Sequence, residues 1–154
     1  MGFLLRLLTK KERKPFGSRR ENLLPDYSKK WPYYKKQLLT KPEQVLYFKI
    51  LEALPEYLIF SQVQLSQILG VEKGYSYSEW YNRINRMSVD FVVCNKAAEI
   101  VALIELDDST HEKEDRKEAD RKKDKACKDA GIRLIRWNVK AIPNKAEIRK
   151  TVLG

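Results

Sequence analysis

Two apolar runs, SVDFVV starting at Ser88 and EIVALIELD starting at Glu99, flank the short stretch CNKAA and constrain this chain more than any other feature. Segments of this length, rich in Val and Ile and separated by turn residues, predict two buried strands paired as a hairpin. The charges they carry are the puzzle. Asp90 stands inside the first run among residues that want burial, and the second run leads into IELDDSTH, with Glu105, Asp107, Asp108 and His111 in quick succession. Side chains alternate along a strand, so Glu105 and Asp107 share a face, about 7 Å apart at their Cα atoms, while Leu106 and Asp108 take the other. Pairing the strands as a hairpin sets Asp90 beside Glu105 and Asp107. A buried carboxylate without a partner protonates or weakens the fold, so three of them require a compensating cation. Hard oxygen ligands with room for water suit Mg²⁺ or Mn²⁺. A structural reading competes: DDST is good turn chemistry, and Glu105 can pair with Arg133 or Arg136.

The flanking segments predict the rest of the architecture. In TKPEQVLYFKILEAL, Thr40 is an N-cap, Pro42 sits in the first turn and Glu43 completes a capping box. A helix follows, ending near Pro55, with Val45, Leu46, Phe48, Ile50, Leu51 and Leu54 as its apolar face. YLIFSQVQL is a strand, SQILG a short helical turn, and residues 71–86 a loop or short helix. Residues 112–130 read as a highly charged helix closed by Gly131, IRLIRW as a strand and NKAEIRKTVL as a terminal helix. Helix, strand, hairpin, helix, strand, helix describes an α/β sandwich with a mixed sheet.

Charge divides the chain. Residues 1–41 hold twelve Lys and Arg against three Asp and Glu, whereas the remainder is nearly balanced. We therefore expect a basic, partly disordered arm over residues 1–37 and a folded domain over 38–154. Lys10, Lys11, Arg13, Lys14, Arg19, Arg20, Lys29, Lys30, Lys35 and Lys36 suit an anionic partner, either a nucleic-acid backbone or a membrane surface. Trp31, Tyr33 and Tyr34 either stack on bases or pack onto the domain. The opening MGFLLRLL is too short to span a bilayer, lacks a cleavage site and has Arg6 where a myristoylation signal needs Ser or Thr. An interfacial contact through residues 1–14 stays open. Cys94 and Cys127 lie far apart with no CxxC, which points to neither a disulfide framework nor a zinc site and fits a reducing cytoplasm.

With these residues in view, NRINRMSVDFVVCNKAAEIVALIELDDSTH followed by EADRKKDKACKDAGIRLIRW closely resembles the bacterial domain-of-unknown-function family 2726. That family is grouped with the PD-(D/E)xK nuclease superfamily, near the very-short-patch-repair endonuclease-like branch. The resemblance covers roughly residues 38–143. It implies a restriction-endonuclease-like mixed sheet flanked by helices, with Mg²⁺ (or Mn²⁺) at a strand end. Asp90 and Glu105 match the two carboxylates, Asp107 stands where the superfamily has a lysine, and the short-patch relatives share a similar ExD…H pattern. Glu43 matches a first-helix glutamate that helps bind metal, although its capping role explains it as well. His111, the chain's single histidine, would activate water or protonate a leaving oxygen. Lys123 falls on the thin apolar stripe of Ala119, Ala126, Cys127 and Ala130, and either supplies the missing lysine or snorkels past the sheet edge. The implied activity is a metal-dependent endonuclease acting on nucleic acid, with DNA the expected substrate and a homodimer expected for double-strand cuts. Two alternatives stand: a nucleic-acid-binding module without turnover, and a membrane-peripheral interaction protein.

Overall fold

The computed structural model describes residues 25–108 and 114–154, with side chains in the second span from Lys117 onward. The chain divides into two compact units, Met1–Lys35 and Lys36–Gly154. In the first, Asp26 accepts from the backbone and hydroxyl of Ser28, at 3.0 and 2.6 Å, and Trp31 Nε1 donates to the Asp26 carbonyl. Tyr27 stacks on Trp31, and Trp31 packs against Tyr33, so these rings contact one another.

The second unit begins with α1 (Lys41–Ala53), whose capping box joins Thr40 and Glu43, the Thr40 N–H donating to Glu43 Oε2 at 2.5 Å. Next come β1 (Leu58–Gln64), α2 (Leu65–Ile68) and α3 (Tyr77–Ile84), then β2 (Ser88–Cys94) and β3 (Ile100–Asp107). The chain ends with α4 (Glu114–Asp129), β4 (Leu134–Asn138), a turn of 3₁₀-helix at Val139–Ala141 and α5 (Lys145–Leu153). Among the described residues four strands form one sheet in the order β1-β2-β3-β4, antiparallel except for the parallel β3–β4 pair. Parallel neighbours need a crossover, and α4 supplies it. No helix among the described residues is long and apolar enough to cross a membrane.

Local chemistry accounts for the punctuation. At the β2–β3 turn, Asn95 Oδ1 accepts from the N–H groups of Ala97 and Glu99, and Ala98 takes the left-handed conformation that reverses the chain. After α4, Gly131 (φ 69°) donates to Lys128 O and Ile132 to Cys127 O, a Schellman ending that needs a left-handed residue at the glycine. Asn144 and Glu147 form a second capping box at α5.

Helices cover both faces of the sheet. On one, Leu46, Ile50, Ala53 and Leu54 of the α1 segment and Ile148 and Val152 of α5 pack on Phe91, Val93, Ala102 and Ile104. Arg149 ties the helices together, donating to Ala53 O and pairing with Glu56. On the other, Leu65, Val89, Val92, Cys94, Leu103 and Cys127 form a second cluster. The expected face of α1 needs correction: Val45 and Phe48 are 51% and 60% exposed. Buried positions 46, 50, 53 and 54 make one stripe at 3.6-residue spacing, and 45 and 48 lie across the helix from it.

One backbone feature prepares the site. Gln62 in β1 has φ 54°, a left-handed conformation that few residues other than Gly, Asn or Asp adopt. Ile59 and Val63 are four residues apart and should share a face, yet Ile59 packs with the α1–α5 cluster and Val63 with the opposite one. Phe91 and Val89, their neighbours on β2, divide in the same way. The alternation reverses where Gln62 faces Asp90.

Candidate functional site

The β2–β3 ladder runs from Cys94↔Ile100 to Phe91↔Ile104, and the strands part beyond it. Leu103 N–H turns toward Arg133 O, immediately before β4, which leaves the even-numbered donors of β3 facing β2. Leu106 N–H therefore needs a new acceptor where the strands separate. Asp90 provides it: its Oδ2 accepts from Leu106 N at 2.8 Å. Oδ1 faces Gln62, whose amide lies 3.5 Å away and also donates to Glu43 Oε1 at 3.2 Å. Glu43 thus caps α1 with one oxygen and turns the other toward this cluster.

One strand further, Glu105 is the single buried charged residue among the described residues, at 6% exposure. Lys123, on the sheet-facing side of α4 one turn before Cys127, reaches Glu105 Oε1 at 2.6 Å, with side chains 12% and 8% exposed. Arg136 is the direct partner of Glu105 in the β3–β4 register. Its guanidinium lies 3.5 Å from each of Glu105 Oε2, Asp107 Oδ2 and Asp120 Oδ1, and 2.9 Å from Asp124. Of the two arginines weighed for Glu105, Arg136 makes the contact; Arg133 instead donates to the Val152 carbonyl. Lys123 and Arg136 are the compensating cations in this arrangement.

Burial dominates the electrostatics. Desolvation raises the pKa of Asp90, against the lowering effect of the Leu106 N–H, and nearby Glu43 raises it further. Desolvation likewise raises Glu105, with Lys123 opposing. Arg136 is disfavoured by burial, yet Asp124, Glu105 and Asp107 together hold its pKa above the ordinary arginine value. Both thiols, Cys94 and Cys127, are pushed up by burial.

The structure thus brings Asp90, Glu105, Lys123 and Glu43 to the open end of the hairpin, with Asp107 beside them on Arg136. His111 lies outside the described residues, as do Lys10, Lys11, Arg13, Lys14, Arg19 and Arg20. Lys29 pairs with Asp26, while Lys30, Lys35 and Lys36 are exposed. The donor set of Asp90, Glu105, Asp107 and Glu43 is the hard-oxygen chemistry that Mg²⁺ or Mn²⁺ takes. In the present arrangement, however, no group of three Asp, Glu, His or Cys among the described residues converges closely enough to hold a metal. One participant, Gln62, was not singled out from the sequence; it carried no signal, because its role depends on a left-handed backbone. Arg136 stood in the sequence only as one of two arginines for Glu105, and the choice follows once β4 is set parallel to β3 with Arg136 in register with Glu105.

The fold and site define a mixed-sheet α/β domain with helices on both faces and a buried charge cluster at one strand end. A family model for proteins of unknown function, DUF2726, matches residues 35–154, and the chain belongs to that family. Neither the curated proteins nor the solved structures contain a match to the chain.

Proposed function

We propose that the domain is a divalent-metal-dependent phosphodiesterase acting on nucleic acid, an endonuclease for which DNA is the expected substrate, with its site at Asp90, Glu105 and Lys123. The observation that carries this reading is the contact between Lys123 and buried Glu105 beside half-buried Asp90. Two carboxylates from neighbouring strands and a lysine are the groups that the PD-(D/E)xK resemblance requires. Here the lysine comes from α4, while Asp107 occupies the position two residues after Glu105. Asp90, Glu105 and Asp107 would hold the ion once Glu105 and Asp107 turn from Lys123 and Arg136 toward Asp90, and Gln62 links Glu43 to Asp90. A metal bound there would neutralise phosphate charge and lower the pKa of attacking water. Lys123 would orient that water through its amino group, releasing Glu105 Oε1 to do so. Gln62 steadies the Asp90 oxygen that Leu106 does not use. The basic arm would add salt-dependent affinity for the phosphate backbone without reading sequence.

A second reading, a nucleic-acid-binding module without turnover, draws support from the same geometry. Both oxygens of Glu105 already face cations of the protein, so the cluster is compensated without metal. The deciding experiment incubates the purified protein with plasmid, single-stranded DNA and structured RNA in Mg²⁺, Mn²⁺ or EDTA, beside an Asp90→Asn/Glu105→Gln variant. Metal-dependent cleavage that the variant lacks is the expected result. Equal binding by both proteins with no cleavage by either would transfer the function to the binding module.

A further inference from the structure

The segment GYSYSEWYNR puts four aromatic residues into seven positions, Tyr75, Tyr77, Trp80 and Tyr81, around a helix that buries none of its residues. Tyr75, Tyr77 and Trp80 are 60%, 64% and 40% exposed. Such rings do not hold the fold together. They are nevertheless ordered by one another: Tyr75 meets Trp80 edge-on at 5.9 Å, Tyr77 stacks on Tyr81 at 5.3 Å, and the Arg83 guanidinium lies 4.4 Å over the Trp80 ring. Clustered exposed apolar surface of this kind marks a contact site.

Behind these rings lies a cavity of about 750 Å³, with Tyr75, Trp80 and Arg83 on one wall and Arg121, Lys122 and Lys125 of α4 on the other. This size lies within the range of small-molecule clefts, roughly 300–1,000 Å³. The two sides of α4 explain the charge of the second wall. Lys123 turns inward to Glu105, and Asp120 and Asp124 turn to Arg136. The cavity wall is left with Arg121, Lys122 and Lys125, accompanied by Glu118 and Asp129. The pairs these make (Arg121 and Lys122 with Glu118, Lys125 with Asp129) are solvent-exposed. Pairs of that kind are weak and exchange readily for another anion.

From this juxtaposition of open rings, a guanidinium stacked on indole and a wall whose three cations outnumber its two anions, we infer that the α3–α4 cleft binds single-stranded nucleic acid, with bases on Tyr75 and Trp80 and phosphates along Arg121, Lys122 and Lys125. Bases in a duplex are already stacked and offer few free faces, whereas a single strand can present its bases to aromatic side chains. The inference rests on the nucleic-acid reading above and narrows it to a strand that is unpaired near the site. Because α4 also carries Lys123, the same helix that grips the strand on one side holds the acidic cluster on the other.

Fluorescence anisotropy of the full chain, in EDTA, with labelled 20-nucleotide oligo-dT and a 20-base-pair duplex tests it. At roughly 0.3 M salt the phosphate contacts of the basic arm are weakened while stacking persists. Trp80→Ala should weaken single-strand binding about tenfold, and Tyr75→Ala/Trp80→Ala further, with duplex binding unchanged. Trp31→Ala in the first unit should stay close to wild type, and circular dichroism confirms that each variant is folded. Single-strand binding unchanged in the double variant would overturn the inference. Duplex binding here, or metal-dependent duplex cleavage in the incubation described above, without single-strand binding would also overturn it, while leaving the nuclease reading intact. Failure of the wild type to bind or cut any nucleic acid would remove both. Capture by phosphatidylserine vesicles, or self-association in sedimentation velocity, that Trp80→Ala abolishes would reassign the cleft to a lipid surface or a second copy.

Discussion

On one face of the sheet, Phe91, Val93, Ala102 and Ile104 meet Leu46, Ile50, Ile148 and Val152, and the contact is apolar throughout. On the other, the apolar layer around α4 narrows to Cys127 and Leu103, and the next layer toward the strand ends is Glu105, Lys123 and Arg136. The difference is one of tolerance. Apolar packing is non-directional and loses stability in proportion to what is removed. A buried set of charges is closed: taking one member away leaves another without compensation, while replacing a whole pair can be nearly neutral. The α1–α5 face therefore anchors the fold, and the α4 face holds groups whose arrangement matters more than their number.

The sharpest way to break this comparison is to damage the anchor. Phe91→Ala should cost about 3–5 kcal/mol in urea denaturation; a cost near 1 kcal/mol would mean that the apolar face is not the anchor. Lys123→Met should cost about 3 kcal/mol, because Glu105 keeps only the longer contact to Arg136. Lys123→Met/Glu105→Gln should recover most of that loss, and if it does not, the lysine acts through packing. At Asp90 the expected effect is smaller and depends on the substituent. Asp90→Ala strands the Leu106 N–H and should cost about 1–3 kcal/mol. Asp90→Asn keeps an oxygen there, removes a charge beside Glu43, and should leave the metal-free fold as stable as wild type or more so. An Asn variant as unstable as the Ala variant would show that the charge itself is structural.

The gentlest test is pH. Burial raises the pKa values of Asp90 and Glu105 above the ordinary carboxylate range near 4, so the folded state binds these protons more tightly than the unfolded chain. Their contribution to stability is then complete below that range and declines as pH rises through the raised values. Asp26 and Glu56 are shifted the opposite way by their hydrogen bonds to Ser28 and Arg149. The informative curve is therefore the difference in thermal stability between wild type and Asp90→Asn/Glu105→Gln from pH 4 to 8. It should fall toward neutrality, and a rising curve would reverse the assignment.

Much of the fold was legible because its signals are local. Apolar runs bounded by turn residues mark β2 and β3, capping residues mark α1, and Gly131 marks the end of α4. For Lys123, helical spacing left two readings open, reaching the acidic strand end or snorkelling past the sheet edge, and the contact with Glu105 is the first of them. What sequence left undecided was long-range. Whether 71–86 is helix or loop depends on how little it packs, as α3 buries no residue. The compensating role of Arg136 depends on the register of a parallel pair joined across α4. The reversal at Gln62 depends on one backbone angle that no residue type announces.

That angle has a consequence for how position 62 responds to change. A left-handed residue with a Cβ is held at a cost of roughly 1–2 kcal/mol, and glycine would relax it. The amide that bridges Glu43 and Asp90 would be lost in the same step. A screen for heat resistance alone would therefore favour Gln62→Gly, and a screen for the site's chemistry would reject it, so position 62 is where selection for durability and selection for activity pull apart.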